Sequence, residues 1–73
     1  MTYEIPADLP VHGLLTYTYT HGATYQRTYT RVRVMPMQDK DGVTCMEIHG
    51  YEGPSLVSCI RGVAAFTFVD KGE

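Results

Sequence analysis

The sequence predicts an all-β domain: a small five-stranded, strongly curved antiparallel sheet or an SH3/Sm-like barrel, with an extended N-terminal arm. Three observations predict it. Residue types that favour pleated strands dominate, with nine Thr, seven Val and six Tyr in 73 residues. Seven Gly and four Pro punctuate them at short intervals, as chain reversals require. Helical periodicity is nearly absent, and the gaps leave no room for a crossover helix, so the connections are antiparallel.

The elements follow in order. Pro6 and Pro10 cannot sit inside a helix and bias Ile5 and Leu9 toward extended geometry. Residues 1–12 are therefore an arm, pinned by Ile5, Leu9 and Val11, with room for one helical turn near Ala7 and Asp8. The domain proper spans 13–69. Its first strand, 14–20, alternates Leu15, Tyr17 and Tyr19 on one face with Thr16, Thr18 and Thr20 on the other. Gly22 supplies a hairpin turn. The second strand, 24–37, is long and changes phase: Tyr25 and Tyr29 share one parity, Val32 and Val34 the other. A bulge near Thr30 and Arg31 would bring both pairs to the core, and Pro36 places the end of this strand at an edge. The polar run Gln38-Asp39-Lys40-Asp41-Gly42 is a turn. A third strand covers 43–51, and Glu52-Gly53-Pro54-Ser55 is the next turn. The last two strands, 56–61 and 63–69, are separated at Gly62, and 70–73 form a solvated tail. Met35, Met37 and Met46 read as core filler or, at an open edge, an adaptable contact patch.

A chain of this length buries only about 60% of the surface it exposes when unfolded. Its core is thin, and a partner or a second copy would add to it. Six Lys and Arg against eight Asp and Glu give a net charge of −2, which excludes a strongly basic coat for nucleic acid and an acidic mimic of it. No stretch reaches the roughly 18 apolar residues of a membrane helix. The start, Met1-Thr2-Tyr3-Glu4, lacks the basic and apolar regions of a signal peptide, so a cytoplasmic protein is expected. Cys45 and Cys59 are too few and too far apart for a four-ligand zinc site, and both are expected as small buried hydrophobes.

The second strand carries the main candidate site. Arg27, Arg31 and Arg33 fall at the same parity as Tyr25 and Tyr29, so a regular strand would present one Arg-Tyr stripe. Guanidinium groups take phosphate or carboxylate through paired donors, and Tyr rings stack on bases. The plainer alternative is a solvated face, with Arg stems over apolar surface. His12, His21 and His49 are scattered and show no converging metal ligands. Glu47 and His49 share a strand face and can form an acid–base pair, but the sequence places no nucleophile beside them. With no phosphate loop or paired-carboxylate motif, the sequence points away from an enzyme and calls for no cofactor.

From Tyr17 onward the order of features resembles a shortened WYL domain, the Sm-like β module of bacterial transcription regulators and defence-associated proteins. The matching features are the aromatic first strand Leu15-Thr16-Tyr17-Thr18-Tyr19, the turn at Gly22, and Arg31-Val32-Arg33-Val34-Met35-Pro36. Gly50-Tyr51 and Ile60-Arg61-Gly62-Val63 complete the set. The Trp-Tyr-Leu tripeptide is absent, with Thr44-Cys45-Met46 in its place. Gly62 stands where the family has a second ligand-binding Arg, and Arg61 lies one residue away. The resemblance implies sensing of nucleotide-like or nucleic-acid ligands.

Two functions are expected from these features. The first is a small non-enzymatic protein-binding module, a regulator or phage/mobile-element-type inhibitor that occupies a partner surface and self-associates. The alternative is a nucleic-acid or nucleotide-binding module. Either would use Tyr25, Arg27, Tyr29, Arg31, Arg33 and Arg61.

Overall fold

The computed structural model describes residues 9–71. They form β1 (Gly13–Tyr19), β2 (Thr24–Tyr29), β3 (Arg31–Gln38), β4 (Thr44–Glu52) and β5 (Ser55–Asp70), with no helix among them. Every pairing is antiparallel, and the strands lie in the order β2-β1-β5-β4-β3. The expected all-β class is found in its open form. The sheet is strongly curved and ends in β2 and β3 instead of closing into a barrel.

Five strands were expected, but the chain divides differently at two corners. The expected long strand over 24–37 breaks at Thr30 into β2 and β3. Tyr29 and Val32 are both buried, and residues three apart cannot share a face of a regular strand. Thr30 absorbs the change: its amide donates to the Tyr51 carbonyl at 2.9 Å, and its own carbonyl accepts from the His12 amide. β2 thus stays on β1, and β3 departs along β4 at the far side of the sheet.

The opposite correction applies at Gly62, where the two strands expected over 56–61 and 63–69 are one continuous β5. Ile60 and Val63 are both buried, so here too the parity changes. Gly62 makes the extra step at φ 79°, a left-handed conformation that glycine adopts without the clash of a Cβ. Val63 is paired with Met46 of β4 on one side and Tyr19 of β1 on the other. The first half of β5 therefore belongs to β4 and the second half to β1, and the sheet curls at this residue.

The concave face holds the core: Leu15, Tyr17, Tyr29, Val32, Val34, Met46, Ile48, Ile60 and Val63, with Leu9, Tyr19, Phe66 and Phe68 packed against it. The Tyr and Thr faces expected of β1 are those observed. Tyr29 closes the first corner by lying over Gly50, where a Cβ would meet its ring carbons at 2.2–2.5 Å. Of the arm, Leu9 packs on the core and donates from its amide to the Val32 carbonyl at 2.8 Å, whereas Val11 is exposed. Ile5 and the expected turn near Ala7 and Asp8 lie outside the described residues. Asp70, expected in the tail, still pairs with Gly13 at the end of β5.

Candidate functional site

The structure divides the expected Arg-Tyr stripe. Residues directly opposite in a ladder point to the same face. Tyr25, Arg27 and Tyr29 are opposite Tyr17, Leu15 and Gly13, so they lie on the concave side. Arg31 and Arg33 are opposite Tyr51 and His49, on the convex side of β3 and β4. The parity change at the single residue Thr30 sends the two groups to opposite faces. Only Tyr29 of the stripe's tyrosines is buried; Tyr25, expected to turn into the core with it, is 48% exposed.

On the concave side, Tyr25 belongs to an aromatic group at the hairpin-turn end of the β1–β2 ribbon. Its ring stacks on Tyr17 at 5.9 Å and meets Tyr19 edge-on at 5.7 Å, and Tyr19 stacks on His21 at 5.2 Å. Arg27 is the sole charged side chain in β1 and β2. Residues 24–28 are all exposed, and β2 is a terminal strand paired only with β1 among the described residues. Burial and the nearby Tyr17 and Tyr25 phenols hold the Tyr19 hydroxyl above the ordinary 10.0. The folded chain thus binds this proton more tightly than the unfolded chain does. That contribution to stability is complete below the ordinary value and is lost as pH rises through the folded one. The melting temperature is expected to fall as pH climbs past about 10, and less steeply in Tyr19→Phe; identical alkaline profiles would contradict this.

The convex side of β3, β4 and β5 gathers more chemistry than the sequence indicated. Arg31 lies over the Tyr51 ring at 4.9 Å, and its Nε is buried with no hydrogen-bond partner. One pleat along, His49 sits between Arg33 of β3 and Cys59 of β5, directly opposite each. The next pair is Glu47 and Arg61. Glu47 joins His49, Cys59 and Arg61. Its Oε2 accepts from His49 Nε2 at 2.6 Å and from the Cys59 thiol at 3.5 Å, while its Oε1 takes an ion pair from Arg61 Nε at 3.2 Å.

The Glu47–His49 pair suggested by strand parity is therefore formed, and Cys59 stands beside it. Cys59 is exposed, unlike the buried residue expected; Cys45 is buried, and both thiols are free. The sequence could not place Cys59 because its neighbours follow from the β4–β5 register, which shifts between Gly50 and Tyr51 and again between Met46 and Glu47. The bond from His49 lowers the Glu47 pKa most, aided by Cys59 and Arg61. Desolvation of the sulfur and the adjacent Glu47 carboxylate push the Cys59 thiol up. A nucleophilic cysteine needs the reverse, a thiolate favoured by a neighbouring base or cation. Here the carboxylate stands between thiol and imidazole, so the trio is not an activated Cys-His pair.

No helix among the described residues is long and apolar enough to cross a membrane. Comparisons with family models, curated proteins and solved structures found no match to this chain.

Proposed function

We propose that this chain is a non-enzymatic protein-binding module that takes an extended segment of a partner protein along the free edge of β2. One observation carries the reading: among the described residues β2 ends the sheet, its residues 24–28 are exposed, and Tyr25 and Arg27 stand along it. An unpaired edge offers a row of backbone donors and acceptors to an incoming strand. Tyr and Arg are the side chains that most often anchor such contacts. With Arg27 the lone charge on the ribbon, the segment that fits best is acidic. Occupying a partner in this way suits a regulator or inhibitor, and the same edge can pair with a second copy of this chain.

The test compares capture by the wild-type chain, Tyr25→Ala and Arg27→Glu from a lysate of the native host, read by mass spectrometry. Arg27 is exposed, so Arg27→Glu should change stability by no more than about 0.5 kcal/mol. Tyr25→Ala also removes the ring contacts to Tyr17 and Tyr19, worth about 0.5–1.5 kcal/mol, so circular dichroism must show this variant folded. The expected result is a protein retained by the wild type and lost with both variants. Capture that is indifferent to both substitutions contradicts the proposal.

A second reading rests on the convergence of Arg31, Arg33 and Arg61 with Tyr51 on the convex face, and on the resemblance to WYL modules. It assigns that face to a nucleotide or single-stranded nucleic acid. It requires salt-sensitive oligonucleotide binding tighter than about 10 μM, with a shallower salt slope when one Arg is removed.

A further inference from the structure

We propose that Glu47, His49 and Cys59 form a binding site for a zinc-class divalent ion on the convex face of β4 and β5. The three offer one carboxylate oxygen, one imidazole nitrogen and one sulfur, and the ligand atoms all lie within 4.8 Å of one another. A mixed O, N and S donor set suits a borderline ion such as zinc and is poor for magnesium or calcium.

The backbone fixes the arrangement. Glu47 and His49 are two apart on β4 and share a face, and Cys59 is the direct ladder partner of His49 on β5. Bonds of about 2.0–2.3 Å to one tetrahedral ion place ligand atoms roughly 3.3–3.7 Å apart. The Cys59–Glu47 separation of 3.5 Å already meets this, the His49–Glu47 separation of 2.6 Å has to widen, and the His49 and Cys59 donors, within 4.8 Å of each other, have to settle at the same spacing. Those two short contacts are proton-bridged, and an ion entering among the three atoms replaces the bridging protons. The thiol proton leaves to solvent, and the imidazole binds through its ring nitrogen as the neutral tautomer with the proton on Nδ1.

Two further features support the site. Thiolate and carboxylate together match the ion's two positive charges, so Arg61 and Arg33 face a neutral complex instead of a bare cation. Arg61 also holds Oε1 at 3.2 Å, leaving Oε2 for the metal and fixing the carboxylate plane as an outer-shell partner does. Three protein ligands on an outward face leave the fourth position to water or to a donor from outside the chain.

Titration of the reduced full-length chain with Co²⁺, followed by its visible spectrum, tests this. The expected result is one Co²⁺ per chain, with strong tetrahedral d–d bands and a thiolate-to-cobalt charge-transfer band, both abolished by added Zn²⁺. Cys59→Ser should remove the charge-transfer band. His49→Ala should weaken binding by more than about tenfold, the scale at which even outer-shell partners act. Cys45→Ser should leave both features in place. Far-UV circular dichroism of each variant confirms that the sheet is intact. A silent titration of the wild type, a charge-transfer band that survives Cys59→Ser, or one that disappears with Cys45→Ser would each overturn the assignment.

Discussion

Ile48→Ala is expected to remove a large share of the chain's folding stability. Ile48 is fully buried and lies between Val34 of β3 and Ile60 of β5 in the ladder, at the centre of the only core the described residues contain. Removing the outer carbons of a buried Ile typically costs about 2–5 kcal/mol, since the loss of burial adds to the cavity left behind. At roughly 0.05–0.15 kcal/mol per residue, a chain of 73 residues has about 4–11 kcal/mol in all, so the loss is a large fraction of it. Urea unfolding measures the effect. The control is Leu56→Ala, an apolar truncation at a 54% exposed position, which should change stability by no more than about 0.5 kcal/mol. Equal losses at the two positions would contradict the placement of the core.

Gly50→Ala should have the next largest effect, and through a different cause. Gly50 sits in mid-strand where a single methyl group would lie 2.2 Å from the Tyr29 ring. Tyr29 is buried at the corner where the chain passes from β2 to β3, so the ring has little freedom to retreat. Overpacking of this kind costs about 1–3 kcal/mol, and each kcal/mol lowers the melting temperature of a domain this small by roughly 4–8 °C. The clash also predicts coupling. In a Tyr29→Leu background the same methyl meets a smaller side chain, so the two substitutions together should cost less than the sum of their separate effects. Strict additivity would show that Gly50 is required for a reason other than the tyrosine.

Much of this fold is legible in the sequence, because alternation and turn chemistry are local. The Thr and Tyr faces of β1, the reversal at Gly22, the Asp39–Gly42 turn and the parity change at Thr30 all follow from neighbours in the chain. Gly62 is likewise visible as an interruption, but sequence alone cannot say whether it ends a strand or bends one. The answer lies in Val63, which is shared between β1 and β4, and that is a fact of tertiary packing. The functional surfaces suffer from the same limit. One stripe of Arg27, Arg31 and Arg33 assumes a regular strand, and a single residue at Thr30 sends Arg27 to the concave face and the other two to the convex one. Conversely, Glu47 and His49 are paired by strand parity, while Cys59 joins them only through cross-strand register.

The most direct test of the β2 edge as the docking surface is backbone amide hydrogen exchange, with and without the captured partner. The account predicts slowed exchange concentrated in residues 24–28, the strand edge that the partner would cover, and unchanged exchange in β3. Protection confined to β3 and the convex face of β4, with β2 unaffected, would contradict it.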